Sequence, residues 1–432
     1  MGERWRGADG FLKASPASAA RPGERQENGA MRSSNLMIVQ GGGPTAVFNT
    51  SLAEIVAEAQ RQPAIGRILG SRAGIRGLLR DDVADLTNLS PQELDRLRRT
   101  PGAALGSSRY QPSKADMERL IEAIHQFEIE YMIFLGGNGT MRGAELISQF
   151  LQSRHLDTVV VGVPKTVDND IMATDRCPGF GSAARYIATA ARELGADIRS
   201  LPQPVTILET MGRTVGWLAA ATALAQVDGS GAPHLVCVPE VPFETELFIG
   251  MLDDIVRANG HAVVVVAEGI VDTSGQHLYE NPNVSQADAL KRPMIGGVGQ
   301  HLANVVSDRL HFRCRNEKPG LLGRSSIAIA SEQDRIDAAL VGRAGVLALL
   351  SGDRDTMVAL EPLEAVASPG YRLVPLTHAA GHVRHLPAEW LTSGAIPVCD
   401  NFLEYLRPLV GDLEEHLTEL PQAAVAERVT AR

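Results

Sequence analysis

Continuous runs of Val, Ile and Leu recur along the chain, and each run ends in glycine or in polar residues. Such runs predict strands that are buried on both faces, which are typical of a parallel sheet covered by helices. The clearest predicted strands span residues 36–40, 132–135, 158–163, 205–210 and 261–267.

Helical patterns fill the stretches between these strands, for example at 46–60, 114–127 and 180–194. The alternation of strands and helices predicts an α/β fold with a mainly parallel sheet. Folds of this class bind ligands at the carboxyl ends of their strands. The residues that directly follow the predicted strands are therefore the candidates for chemistry.

Two of these strands run into glycine clusters, GGGPT at 41–45 and GGNGT at 136–140. Glycine lets backbone N–H groups approach phosphate oxygens, and the N-terminus of a following helix adds a partial positive charge. A single glycine pair is explained equally well by a tight turn between a strand and a helix. Two clusters, together with MGR at 211–213 after a further strand, favour a phosphate-binding site.

The segment PKTVDND at 164–170 follows the predicted strand 158–163. Asp168 is suited to take a proton from a hydroxyl group, while Lys165 and Thr166 hold an anionic group nearby. Asp and Asn are also common turn formers, so an acidic surface turn is the alternative interpretation.

The 432 residues leave room for two or three domains, and the net charge of −10 argues against general nucleic-acid binding. Four scattered cysteines without a CxxC motif predict neither a disulfide framework nor a zinc site.

No apolar stretch has transmembrane length and no signal peptide is evident, so we expect a cytoplasmic protein without a membrane partner. Segments 1–34 and 419–432 lack periodicity and are predicted to be disordered or loose, with Met31 as a candidate start.

Seven motifs in this order resemble the phosphofructokinase A superfamily over about residues 35–411: GGGPTAVFN, LGSSR, GGNGT, PKTVDND, ETMGR, AEG and LGRSS. The C-terminal segments PAEWL and CDNFLEYLRPL resemble the bacterial pyrophosphate-dependent branch of that family. Order, spacing and strand context agree, which makes the match more specific than one GxGxxG motif. GFGSAA at 179–184 mimics such a motif but follows Cys-Pro rather than a strand.

The resemblance implies two Rossmann-like lobes with mainly parallel sheets and an active site in the cleft between them. Residues 35–178 and 324–375 would form the lobe that binds the phosphoryl donor. Residues 179–323 and 376–418 would form the lobe that binds the sugar phosphate. Relatives assemble as homodimers or homotetramers whose sites borrow residues from a neighbour.

The implied reaction is glycolytic transfer of a phosphoryl group from pyrophosphate to the 1-hydroxyl of fructose 6-phosphate, with Mg²⁺ as cofactor. Asp168 would be the base, Asp170 would support it, and Arg109 would offset charge in the transition state, as an orienting carboxylate and cations do in phosphoryl transfer. The resemblance assigns sugar-phosphate contacts to Thr166, Asp168, Asp170, Met211, Gly212, Arg213, Glu268, Arg315 and Arg324. It assigns donor contacts to Gly42 (through its N–H), Gly43, Gly137, Gly139 and Thr140, and metal binding to Asn138.

The identity of the donor depends on two positions that disagree. In this family Lys165 is typical of enzymes that use pyrophosphate, in which it supplies charge lost with the nucleotide. Gly139 is instead typical of ATP users, because Asp at this position blocks the space of the α-phosphate. GGGPTAV and the C-terminal segments favour pyrophosphate, and an ATP-dependent 6-phosphofructokinase is the alternative.

Three positions depart from the family pattern. Asn138 stands where most relatives have a magnesium-binding Asp, and a neutral amide is a weaker ligand for a hard cation. Pro204 replaces a phosphate-binding arginine, and Leu321 replaces His or Tyr. These losses keep a non-catalytic sugar-phosphate-binding relative as a further alternative, although the intact Asp168 argues against it.

Two other interpretations follow from local motifs. Lipid and NAD kinases carry a loop similar to GGNGT but lack the PKTVDND and ETMGR segments. His378, His382 and His385 have a spacing that could hold a metal, but no adjacent cysteine or carboxylate completes the set. The sequence does not distinguish fructose 6-phosphate from sedoheptulose 7-phosphate as the acceptor.

Overall fold

A computed structural model describes residues 34–200, 204–226, 231–280, 296–363 and 370–414. Residues 1–34 were predicted to be disordered; all but Ser34, which begins the first strand, lie outside these ranges, as do the candidate start Met31 and the predicted loose tail at 419–432. None of the helices in the described ranges has the length and hydrophobicity needed to cross a membrane.

The described strands form two separate sheets. In chain order they are β1 (Ser34–Gly41), β2 (Ile65–Ser71), β3 (Val83–Asp85), β4 (Ile129–Gly136), β5 (Val159–Pro164), β6 (Val205–Thr210), β7 (Leu235–Cys237), β8 (Ala262–Ala267), β9 (Cys314–Glu317), β10 (Thr356–Leu360) and β11 (Tyr371–Pro375). The first sheet has the order β11-β10-β5-β4-β1-β2-β3, and the second has the order β7-β8-β6-β9. The predicted α/β fold with mainly parallel sheets is confirmed, because only β3 and β11 pair antiparallel with their neighbours.

Helices cover both faces of the first sheet and pack against the second. They are α1 (Phe48–Ala59), α2 (Ile75–Leu78), α3 (Pro91–Arg98), α4 (Lys114–Gln126), α5 (Asn138–Ser153), α6 (Phe180–Ser200), α7 (Trp217–Ala221), α8 (Thr245–Asn259), α9 (Val298–Leu310), α10 (Leu321–Ser325), α11 (Glu332–Ser351), α12 (Leu376–Ala379) and α13 (Asp400–Val410).

Strand β1 shows how the apolar runs produce this layering. Side chains alternate across a strand, so Leu36 and Ile38 face one side of the sheet, and Met37 and Val39 face the other. Leu36 and Ile38 lie in a core that α1 and α11 complete. Met37 and Val39 lie in a second core that α4 and α5 complete. Burial on both faces explains why the strand is a continuous apolar run.

The register of the first sheet brings three predicted motifs to one edge. Gly41 at the end of β1 pairs with Gly136 at the end of β4, and Gly136 pairs in turn with Pro164 at the end of β5. The two glycine clusters and the PKTVDND segment therefore emerge side by side. In the second sheet Thr210 pairs with Ala267, which aligns the ETMGR and AEG segments in the same way.

The junction between the two sheets is held by Asp334 at the start of α11. Its carboxylate accepts hydrogen bonds from the backbone N–H groups of Gly179 (2.7 Å) and Ser182 (3.0 Å) at the N-terminus of α6. Burial raises the pKa of Asp334 to about 6. A negative group at a helix N-terminus is stabilised by the unpaired N–H groups and the helix dipole. The bond ties α11, which packs on the first sheet, to the helix that leads into the second.

Candidate active site

A cavity of about 350 Å³ lies where the strand ends of the two sheets meet. Its lining includes most of the residues that the sequence predicts for the site: Gly42, Gly43, Arg109, Gly137, Asn138, Gly139, Thr140, Lys165, Thr166, Asp168, Asp170, Met211, Arg213, Glu268 and Arg324. The structure thus brings the predicted donor, base and sugar positions into one space.

Gly212 and Arg315 do not line this cavity. Gly212 has a φ of +134°, and a Cβ atom there would lie 2.5 Å from the carbonyl oxygen of Val215, so this position requires glycine for the turn. Arg315 is exposed on β9, the edge strand of the second sheet. Arg315, which is predicted to bind the 6-phosphate, therefore lies outside this cavity.

The glycine clusters are needed for close packing at the floor of the cavity. A Cβ atom on Gly41 would lie 2.4 Å from the hydroxyl oxygen of Thr140, and one on Gly136 would lie 2.3 Å from it. The N–H group of Gly42, predicted to contact the donor, donates instead to the carbonyl oxygen of Ser108 at 3.1 Å. Gly137 is the N-cap of α5 without a side-chain cap, which leaves the positive end of that helix facing the cavity.

Lys165 holds the first glycine cluster, residues 41–43, in place through hydrogen bonds to its backbone. Its side chain is buried, and its Nζ atom donates to the carbonyl oxygens of Gly43 (2.6 Å) and Gly41 (3.2 Å) and lies 4.4 Å from the centre of the Phe48 ring. Burial, followed by repulsion from Arg324, lowers the pKa of Lys165 to about 7. An ammonium group has three N–H donors, so one donor remains for a ligand after these two bonds within the described residues.

The two aspartates of the PKTVDND segment have pKa values raised above the usual range. Burial, followed by repulsion from Asp170 and Glu268, raises the pKa of Asp168 to about 7. Burial also raises the pKa of Asp170. A carboxyl group with a pKa near neutrality suits general base chemistry at physiological pH.

The intervening residue, Asn169, sets the direction of both carboxylates. It adopts the left-handed conformation (φ 54°), which Asn tolerates better than most residues. Its side-chain Nδ2 donates to the hydroxyl oxygen of Tyr405 (3.1 Å), and its Oδ1 accepts from the N–H of Cys177 (3.0 Å). The amide is thus held on both sides, and the acidic surface turn considered from the sequence is excluded by the burial of this loop.

Asn138, the predicted metal ligand, binds a C-terminal segment that no sequence motif places at this site. We call residues 381–384 the strap. Asn138 Oδ1 accepts from the N–H of Gly381 (3.2 Å), and its Nδ2 donates to the carbonyl oxygens of His382 (2.6 Å) and Asp170 (3.3 Å). The N–H of Arg384 donates to the carbonyl oxygen of Asp170 (2.9 Å). In this structure, the Asn138 amide therefore joins the strap to the PKTVDND loop.

A divalent cation fits better at Asp170 than at the three histidines. The Oδ1 atom of Asp170 is buried and has no hydrogen-bond partner among the described residues. Carboxylate oxygens are the ligands that Mg²⁺ prefers. Across the described residues, which include His378, His382 and His385, no group of three His, Cys, Asp or Glu side chains is arranged to hold a metal.

The sugar side of the cavity combines cations with the half-buried carboxylate of Glu268. Burial, followed by repulsion from Arg109, lowers the pKa of Arg324, and its Nε atom is buried without a partner among the described residues. A Cβ atom on Gly269, which follows Glu268, would lie 1.8 Å from the carbonyl oxygen of Arg213, so the AEG glycine lets these two segments touch. Pro204 and Leu321 lie outside the cavity lining, and Leu321 is 64% exposed.

Comparison with known proteins decides the family. The phosphofructokinase family model matches residues 35–349. The chain belongs to the phosphofructokinase family. A pyrophosphate--fructose 6-phosphate 1-phosphotransferase from Xanthomonas campestris pv. campestris is 34% identical over 393 residues, which cover 88% of this chain and 92% of that protein. The resemblance read from the motifs is confirmed.

Two further phosphofructokinase-family relatives extend this result. A crystal structure of a pyrophosphate-dependent phosphofructokinase from Nitrosospira multiformis superposes with a TM-score of 0.78 at 32% identity, covering 90% of this chain and 95% of that one. A sulfofructose kinase from Alkalicoccus urumqiensis is 32% identical over 370 residues, which cover 82% of this chain and 93% of that protein. The names of these two relatives thus point to different acceptors.

Sequence reasoning missed several residues of this phosphofructokinase site. Gln111 lines the cavity, and its Nε2 donates to the carbonyl oxygen of Gly139 (3.2 Å). Tyr405 and the strap reach the site from the C-terminal part of the chain. Only the LGSSR motif, which ends two residues before Gln111, could have drawn attention to the first of these.

Proposed function

We propose that this phosphofructokinase-family enzyme transfers a phosphoryl group from pyrophosphate to the 1-hydroxyl of fructose 6-phosphate. The products are fructose 1,6-bisphosphate and orthophosphate, as expected for a step of glycolysis. The observation that carries the proposal is the placement of Asp168, with its raised pKa, in one cavity with Lys165, Arg109 and Arg324. The similarity to pyrophosphate-dependent relatives over most of the chain supports pyrophosphate as the donor.

Asp168 is the proposed general base. Its ionised carboxylate accepts the proton of the 1-hydroxyl as the oxygen of that group attacks the terminal phosphorus of pyrophosphate. The bond between that phosphorus and the bridging oxygen breaks, and orthophosphate leaves. One carboxylate that orients the nucleophile suffices, because phosphoryl transfer depends mainly on positioning and on charge stabilisation.

The cations around the base would stabilise the transferring group. Protonated Lys165 keeps one N–H donor beyond the two that bind carbonyl oxygens, and Arg109 and Arg324 line the same cavity. The N-terminus of α5, with Gly137, Gly139 and Thr140, adds positive potential where the leaving phosphate forms. Gly42 and Gly43 complete the donor side through the backbone that Lys165 fixes.

Mg²⁺ is the proposed cofactor, and Asp170 would hold it through its unpartnered oxygen. When bound, the ion offsets negative charge on the phosphoryl oxygens. We assign Asn138 to the support of the loop that carries Asp170, rather than to direct metal binding, because its amide makes three hydrogen bonds there. Asp170 would also support Asp168, whose pKa its charge raises.

The sugar phosphate would occupy the side of the cavity formed by the second sheet. Glu268, Thr166 and the segment from Met211 to Arg213, turned by Gly212, would contact its hydroxyls, and Arg324 would bind its 6-phosphate with a planar pair of donors. We propose that Arg315 acts only after assembly, in a homodimer or homotetramer in which an exposed edge can reach a neighbouring site. A cytoplasmic location fits a glycolytic role.

ATP remains the second candidate donor, and one observation favours it. A Cβ atom on Gly139 would have only the Gln111 side chain within 4 Å, at 3.9 Å, so the loop leaves space beside the donor phosphates. Side-by-side initial rates with pyrophosphate and with ATP, at saturating Mg²⁺ and fructose 6-phosphate, test the choice. A clear preference for ATP would overturn the pyrophosphate assignment. No product from either donor would overturn the proposed reaction.

A further inference from the structure

An ion cluster lies behind the sugar side of the cavity. It consists of Glu209 at the end of β6, Lys318 just after β9, and Glu268 just after β8. Only Glu268 lines the cavity. The other two residues had no assigned part in the site.

Glu209 is the fixed member of this cluster. Its side chain has no exposed surface, and its two carboxylate oxygens accept from the N–H groups of Gly297 (2.9 and 3.1 Å) and Gly299 (2.9 Å). These N–H groups lie at the N-terminus of α9, where a negative charge is favoured by the helix dipole. The Glu209 carboxylate therefore has one position and one orientation.

Lys318 connects this fixed carboxylate to the cavity. Its Nζ atom donates a hydrogen bond to Glu209 Oε1 and lies 3.8 Å from Glu268 Oε2. The backbone of Gly296 closes over the cluster: a Cβ atom there would lie 2.5 Å from Lys318 Nζ and 3.5 Å from Glu268 Oε2. The ammonium group thus lies between two carboxylates, while the Lys318 side chain is 40% exposed.

The charge of Lys318 opposes the effect of burial on Glu268. Burial raises the pKa of Glu268, repulsion from Glu209 raises it further, and attraction to Lys318 lowers it. An ionised carboxylate can only accept hydrogen bonds. In this state Glu268 can bind sugar hydroxyl groups, which act as the donors. Without the ammonium group, Glu268 and Glu209 would face each other as like charges.

We infer that Lys318 is a positioning residue for the acceptor, which holds Glu268 directed into the cavity by linking it to the fixed Glu209. The inference rests on the proposed role of Glu268 in binding fructose 6-phosphate. The inference assigns the specificity for a hydroxylated acceptor to Glu268 and Lys318 together. Glu268 contacts the acceptor, and Lys318 does not.

The test compares two substitutions. Lys318→Met keeps a similar side-chain length and removes the positive charge, whereas Lys318→Arg keeps the charge. Lys114→Met is the matched control, because Lys114 is exposed at the start of α4, away from the cluster. We expect Lys318→Met to raise the KM for fructose 6-phosphate about tenfold, with kcat and the KM for pyrophosphate changed less than about threefold. Lys318→Arg should restore most of the loss, and Lys114→Met should have no effect.

A double-mutant cycle separates positioning from general damage to the fold. If Lys318 acts through Glu268, then Lys318→Met should add almost nothing to the defect of Glu268→Gln. Additive effects, or equal losses for both substrates, would overturn the inference.

Calorimetric titration of fructose 6-phosphate gives a readout that does not require turnover. A wild-type protein that binds the sugar phosphate but transfers nothing would overturn the proposed reaction, while an approximately tenfold weaker Kd in Lys318→Met would still support the positioning role. An unchanged Kd in that variant would overturn it.

Discussion

The ammonium nitrogen of Lys165 lies 2.6 Å from the carbonyl oxygen of Gly43. A second bond, to the carbonyl oxygen of Gly41, makes this one side chain the support of the whole first glycine cluster. The residue that the sequence marked as a donor ligand therefore also shapes the loop on which the donor lies. Its charge and its position are difficult to separate, and its replacement should affect both.

Replacing Lys165 by Met should lower kcat/KM by ~10²–10⁴ with pyrophosphate, on the scale of losing a charged contact to a reacting group in a dry site. Steady-state kinetics with both donors measure the effect. The glycine cluster would also lose two hydrogen bonds, so the KM for the donor should rise as kcat falls. Activity within threefold of the wild type would show that Lys165 does not stabilise the transferring group.

Asp168→Asn keeps the shape of the side chain and removes its basic oxygen. We expect kcat to fall by ~10²–10⁴, with little change in the Kd for fructose 6-phosphate. Single-turnover rates and sugar binding should be measured in the same preparations. If the variant kept near-wild-type turnover, the base would lie elsewhere, and Asp170→Asn would identify the next candidate.

The pH dependence of kcat/KM should be a narrow bell centred near neutral pH. Asp168 acts when deprotonated, and its pKa of about 7 makes the rate rise with pH through that region. Lys165 acts when protonated, and its pKa of about 7 makes the rate fall as pH rises further. The two groups titrate together because their charges interact.

The same profile in Lys165→Met should lose its alkaline limb. Its acid limb should move to higher pH, because the charge of Lys165 lowers the pKa of Asp168. An alkaline limb that persists unchanged in this variant would assign it to another group.

Gly139→Asp should abolish any ATP activity and leave pyrophosphate activity largely intact. The nearest atom to a Cβ there is Gln111 Nε2 at 3.9 Å, so the substitution fits without moving the backbone. The new carboxylate would repel an α-phosphate at a cost of several kcal/mol, since like charges in contact are strongly unfavourable. Gly139→Asn is the matched neutral control, and rates with both donors distinguish charge from bulk. Equal loss in the Asp and Asn variants would mean that volume, not charge, excludes the nucleotide.

Asn138→Asp tests whether this residue supports the strap or binds a metal. A carboxylate cannot donate to the carbonyl oxygens of His382 and Asp170, so the free energy of unfolding should fall by ~1–3 kcal/mol. Denaturant unfolding measures this in the absence of metal. A variant that is as stable as the wild type and needs less Mg²⁺ for activity would instead identify Asn138 as a metal ligand.

The sequence predicted those features that depend on local pattern. Continuous apolar runs identified the central strands β1, β4, β5, β6 and β8 because both faces of each are buried. Since the carboxyl ends of parallel strands lie at one edge of a sheet, the sequence pattern alone places the glycine clusters and PKTVDND at that edge. Helix α6 was expected over 180–194 but continues to Ser200, where Ile198 lies in one apolar cluster with Val263 of β8.

Residues that act through distant partners could not be predicted in this way. Asn138 bonds to Gly381 and His382 across more than 240 positions, and no periodicity or motif connects them. Lys318 cannot be distinguished from a surface lysine in the sequence. Its proposed positioning role depends on ion pairs with Glu209 in β6 and with Glu268 just after β8. Gly212 was expected to contact the sugar, but its φ of +134° explains its identity by the turn alone.

The strap has a consequence for the order in which this protein becomes active during synthesis. Gly41 emerges from the ribosome more than 300 residues before residues 381–384 and Tyr405. Until they emerge, Asn138 and Asp170 lack the hydrogen bonds that hold them. The nascent chain can therefore form β1, β2, β4 and β5 long before it can perform chemistry, and competence arrives only after the strap and Tyr405 have been synthesised.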